Sequence, residues 1–157
     1  MISPSNNVSL EKKLLKRYQI ARYSLVAVIV ATVINIVLLL CNQIIILPFS
    51  ATVPYYLSVL AVMAETQTQL WLFLPISVSF MVVYLVSALL SRLHYSFIIA
   101  AAALHLVDTV GAVYMLTLRL DASGVIDVVV HIAVVAILVI GAVSRIKLAK
   151  ILKNKTK

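Results

Sequence analysis

Four runs of about twenty apolar residues, each almost free of charge, limit what this chain can become. They fall at 21–46, 71–90, 96–118 and 125–143. At a rise of about 1.5 Å per residue, each crosses a ~30 Å hydrocarbon core or comes within a residue or two of it. The fold class that follows is an all-α membrane protein, a bundle of four transmembrane helices. Composition agrees: 64% of the residues are hydrophobic and 11% charged, against roughly 45–50% apolar for a soluble domain. A chain of 157 residues is enough for one such bundle and leaves no length for a soluble domain beside it, so the organisation is one transmembrane domain.

The formal charge of +8 does not point to nucleic acid, because the cations are not interleaved with aromatics along one face. Of the 13 Lys and Arg residues, all but Arg119 lie in the two basic ends, 1–20 and 144–157, at Arg22, or in the short loop containing Arg92. By the positive-inside rule this places both termini and the 91–95 loop in the cytoplasm, and the localisation is a multi-pass cell-membrane protein, as in a bacterial inner membrane. The 146–152 stretch has the spacing either of an amphipathic helix on the inner leaflet or of a solvated anchor. Cys41 is the single cysteine, which excludes an internal disulfide. It follows three leucines, where a lipoprotein cleavage site would need a small residue, so it reads as a packing residue within an uncleaved first span. The chain contains no glycine-rich phosphate loop, no His-Glu-x-x-His and no Gly-x-Ser-x-Gly.

Between the first two spans, 47–70 is apolar but broken by Pro48 and Pro54 and closed by Glu65-Thr66-Gln67-Thr68-Gln69. It is too short to cross twice. Pro54 suits the first turn of a helix over 54–64, about half a bilayer long, which is either interfacial or re-entrant. Such a segment is either a packed loop helix or a functional lid.

Any chemistry is confined to the polar residues within the spans. An ionised Asp at mid-helix costs roughly 2.5–3.5 kcal/mol on insertion scales, so it needs a partner or a purpose. His105 and Asp108 share one helix face at i,i+3, and Asp127 and His131 share another at i,i+4. Counted from the outer ends of the spans, Asp127 lies within about one turn, His131 ~9 Å in, Asp108 ~15 Å, Asn35 ~16 Å and His105 ~20 Å. Thr32 and Asn42 fall on a stripe similar to that of Asn35, and the second span offers Ser77, Ser79 and Tyr84. A binding site for a proton or ligand centred on Asn35, Asp108 and His131 is therefore expected in the outer half.

The same side chains, His105, Asp108, Asp127 and His131, are competent ligands for a divalent metal such as zinc, manganese or iron. The spacing differs from the Glu-x-x-His of di-iron bundles. A bis-His haem is disfavoured by the ~11 Å difference in depth between His105 and His131. The alternative is that Asp108 and His131 only pair two helices, with Asp127 at a helix start where the dipole favours negative charge. Ala100 to Ala103, with Gly111 and Ala112, read as a close-packing surface.

Asn35, Phe49-Ser50-Ala51, Pro54-Tyr55, Asp108-Thr109 and Asp127 with His131 together resemble, over most of the chain, a group of small bacterial membrane proteins of unknown function with four predicted spans. The resemblance implies a fold and an ancestry, and no activity. Three functional classes remain open. The first is transport or ligand binding coupled to a proton or metal ion, which with so few spans implies a homo-oligomer or a membrane partner subunit. The second is a metal-dependent intramembrane enzyme acting on a lipid or peptide, and the third a structural or assembly subunit. In each, the immediate partner is the lipid bilayer.

Overall fold

The computed structural model describes residues 4–43, 46–118 and 120–155, with five helices among them: α1 (Pro4–Leu40), α2 (Thr52–Val62), α3 (Gln67–Leu90), α4 (Ser96–Leu118) and α5 (Ala122–Lys155). Arg119 and Lys157 of the charge count, and positions 44–45 of the expected first span, lie outside the described residues. Four helices are long and apolar enough to cross a membrane, as expected for a polytopic membrane protein, and α2 is the shorter helix between the first two.

Local chemistry sets the boundaries. The first span ends at Leu40 rather than near 46, because Asn42 turns left-handed (φ 55°) and closes the helix with paired bonds from Asn42 N to Leu39 O and from Gln43 N to Leu38 O. Helix α3 begins in a capping box. The Thr66 hydroxyl accepts the Gln69 N–H, and the Gln69 side chain accepts the N–H of Thr66. Helix α5 begins three residues earlier than the apolar run, where the Asp121 carboxylate accepts the Gly124 N–H.

Helices α1 (37 residues) and α5 (34 residues) are about 55 and 51 Å long, well beyond a hydrocarbon core. They run antiparallel and pack closely, since a Cβ on Gly141 would overlap that of Ala21. Both overrun the bundle at the end that carries the termini, the terminal side. There Leu14 and Leu148 are buried, so the 146–152 stretch continues α5 against α1 rather than lying along a leaflet. The 91–95 loop is tied to the same end: the Tyr18 hydroxyl donates to Ser91 Oγ (3.2 Å), and Arg145 donates to the Arg92 carbonyl (3.1 Å).

The bundle buries small and polar residues and presents large aliphatic ones outward, among them Val33, Val37, Val82, Leu106, Val110, Ile132 and Val139. That is the distribution lipid demands, because tails are as apolar as leucine and helices gain by close backbone approach and internal polar pairing. An apolar layer of Leu25, Val28, Ile98, Val134 and Leu138 fills the terminal half of the interior.

The 47–62 segment is what positions the site. After α1 ends, the chain turns back down its flank, where Asn35 clamps Leu47 by two bonds: Asn35 Nδ2 donates to the Leu47 carbonyl (2.9 Å) and the Leu47 N–H donates to Oδ1 (2.8 Å). Deeper still, Thr32 Oγ1 accepts the Ala51 N–H (2.7 Å). Between the clamps, Phe49 has φ 80°, a left-handed conformation costing a non-glycine residue about 1–3 kcal/mol unless its surroundings impose it. Helix α2 then starts inside the bundle and returns toward the far end along α3, held where Ser58 and Ser77 both donate to the Pro54 carbonyl (2.9 and 2.7 Å). Its first residues, Thr52 and Pro54, are buried among the longer helices.

Candidate functional site

Helix α2 has no cap of its own. Its N-cap position is Ala51, whose side chain has no hydrogen-bonding atom, so the first N–H groups face the interior of the bundle unserved. Asp108 serves them from α4. Its Oδ2 accepts the Thr52 N–H (2.9 Å) and its Oδ1 the Val53 N–H (2.7 Å), which puts a carboxylate against the positive end of a helix dipole near mid-span. Gly111, one turn further along α4, makes the approach possible: a Cβ there would come within 2.9 Å of Val53 Cγ2.

His131 of α5 completes the cluster. Its Nδ1 lies 2.8 Å from the Asp127 carbonyl, which can only accept, so Nδ1 carries a hydrogen. Its Nε2 lies 3.0 Å from Asp108 Oδ2 and 3.1 Å from Thr52 Oγ1. Two acceptors cannot sit at that separation without a proton between them, so Asp108 and His131 share one. The Thr52 hydroxyl in turn donates to Asp127 Oδ2 (3.4 Å). Asp127 Oδ1 is 3.5 Å from His131 Nδ1.

On the terminal side of this pair the His105 ring stacks on that of His131, with centroids 5.1 Å apart and planes 3° from parallel. His105 Nδ1 meets the Tyr84 hydroxyl (3.2 Å) and lies 3.9 Å from Asp108 Oδ2. Its Nε2 is buried with no hydrogen-bond partner. Asp108, His105, His131 and Tyr84 are each at most 1% exposed, so the cluster is shut off from lipid and from the terminal side.

At the other end it opens. A cavity of about 490 Å³ at the far end of the bundle is lined by Thr52, Tyr56, Asp121 and Asp127, with Pro48, Met115 and Leu116 among its apolar walls. Asp127 is 31% exposed and forms the contact between this space and the buried pair. Family models, curated proteins and solved structures were all compared with the chain, and none matches.

Of the residues expected to form a site, Asp108 and His131 are in direct contact, with Asp127 and His105 on either side. Asn35 does not join them; its amide is spent on the Leu47 backbone. Asn42 and Ser79 are exposed and Ser77 supports α2. The ~11 Å difference in depth between the histidines is corrected to ring stacking, because α5 starts at Ala122 and carries His131 about 4–5 Å deeper. Parallel stacked rings cannot grip one haem iron from opposite faces.

The four residues read as a metal set do gather. His105 Nε2 has no partner, the other donor atoms are turned to one another, to α2 N–H groups, the Thr52 hydroxyl, a backbone carbonyl and the Tyr84 hydroxyl, and among the described residues no group of three or more His, Cys, Asp or Glu is arranged to hold a metal ion. Thr52, which links the buried pair to Asp127, has no marker in the sequence beyond its place ahead of Pro54. The one available signal was indirect: a helix starting at Ala51 needs an acceptor from elsewhere.

Proposed function

We propose that the protein is a small proton-coupled transport or ligand-binding membrane protein, oriented with both termini in the cytoplasm, so that the far-end cavity faces outward. The carrying observation is the chain of contacts from cavity to interior: Asp127, the Thr52 hydroxyl, His131 Nε2 and Asp108, no link longer than 3.4 Å. With the shared proton on Asp108, the Thr52 hydroxyl can turn from Asp127 to His131 Nε2, give it a proton and take one from the Asp127 carboxyl, so that each O–H broken is matched by an N–H or O–H formed. Histidine exchanges protons readily in the physiological range. The apolar layer beneath Tyr84 supports reading this conformation as closed to the cytoplasm.

The test is reconstitution into liposomes holding a pH-sensitive dye, with an imposed pH gradient. Wild type should acidify the lumen, Asp108→Asn should reduce the initial rate at least tenfold, and Thr52→Val should slow it while the fold is retained. A rate equal to that of protein-free liposomes, or equal in all three proteins, rejects the proposal.

One observation favours a structural reading instead, namely that both Asp108 oxygens serve α2. On that reading Asp108→Asn lowers thermal stability in detergent and the wild type carries no protons.

A further inference from the structure

Beyond the inner loop, α1 and α5 continue as a two-helix extension, and its face is not uniform. A cleft of about 370 Å³ is lined by Lys13 and Arg17 from α1, by Lys147 and Lys150 from α5, and by Leu10, Leu14 and Ile151. Each helix contributes two cations and no carboxylate lines the cleft; Glu11, the one acidic residue before the first span, is not among the lining residues. The register is fixed from below by Gly141 against Ala21 and by Leu14 and Leu148 in the seam, so these four positive groups are presented by a rigid pair of helices.

The level of the cleft decides its occupant. Tyr18 is bonded to Ser91, where α3 gives way to the loop, so it marks the edge of the spanning region. Arg17 and Lys13 lie one and five residues beyond it, about 2–8 Å further out. A bilayer of ~30 Å hydrocarbon and ~40–45 Å overall has a headgroup layer about 5–8 Å deep on each side, which is the same interval. Basic pockets between helices at that depth attract lipid phosphate, and the aliphatic floor of Leu10, Leu14 and Ile151 displaces water that would screen the pairing.

We propose that this cleft binds the headgroup of an anionic phospholipid bearing two phosphates, with one phosphate against the cations of each helix. Four cations exceed what one phosphodiester would neutralise. Two phosphates joined by a short glycerol linker, each carrying one negative charge, match the division of the cations into a pair on α1 and a pair on α5. The inference is independent of the proton path, which lies at the other end of the bundle.

The experiment is native mass spectrometry of the full chain in mild detergent, titrated with cardiolipin or with phosphatidylcholine. One variant removes two cleft cations, Lys13→Ala with Lys150→Ala. A second removes the same charge from exposed α1 positions outside the cleft, Lys12→Ala with Lys16→Ala. A cation near an anionic surface contributes about fivefold in affinity, so the cleft variant should lose about 25-fold in cardiolipin binding and the second variant less than threefold. Equal losses in the two variants would mean diffuse charge and no built site. Equal binding of the two lipids by wild type, or displacement of cardiolipin by millimolar inorganic pyrophosphate, would also overturn the proposal, the latter by pointing to a soluble phosphate ligand. All four substituted positions are exposed, and melting temperatures without lipid should agree among the three proteins.

Discussion

Asn35 shows what a single polar side chain does at membrane depth. Leu47 offers an N–H and a carbonyl to a region where water is scarce, and one amide satisfies both. Asn35→Ala should therefore cost about 1–3 kcal/mol, the penalty for leaving buried backbone groups unpaired, and should lower the melting temperature in detergent. Hydrogen exchange at 47–51 should accelerate more than exchange in α5, since the clamp and the strained Phe49 conformation it maintains are local. Thr32 is the second clamp, and Thr32→Val should produce the same pattern with roughly half the loss, because it removes one of these bonds rather than two.

Between elements, the fold depends on two close approaches. Gly141 admits Ala21 so tightly that a methyl group at 141 overlaps the Ala21 methyl, while the Ala21 backbone stays at ordinary contact distance. Gly141→Ala should destabilise the α1–α5 pair by about 1–3 kcal/mol, and Ala21→Gly in the same molecule should recover much of it, a coupling measurable as a double-mutant cycle of melting free energies. Additive losses would show that the two positions do not meet. Gly111 serves α2 in a more forgiving way, because the neighbour is the side chain of Val53. Gly111→Ala should be mild and Gly111→Leu severe. The larger residue should also disturb Asp108, since the same displacement lifts the Thr52 and Val53 N–H groups from its carboxylate.

For the whole molecule, the proposed orientation has a built-in reporter. Cys41 is the only cysteine and is exposed just past the end of α1, on the side away from the termini. A membrane-impermeant maleimide should label it in intact cells or right-side-out vesicles, and a cysteine introduced at Lys12 should be labelled only after permeabilisation. The reverse pattern would invert the topology and turn the acidic cavity toward the cytoplasm.

The sequence by itself determined the class of fold and the number of spans, because about twenty uncharged apolar residues have one stable state in lipid and need no neighbour to adopt it. It also singled out Asp108 and His131, since an ionisable residue in such a run stands out against its background. It could not show that Asn35 leaves the cluster, that Thr52 enters it, or that α2 is capped from another helix. Those outcomes depend on which atoms face one another when the 47–62 segment folds back between the spans. An N–H without a local acceptor takes whatever acceptor the packing brings to it, and only the tertiary structure decided that this acceptor is the Asp108 carboxylate.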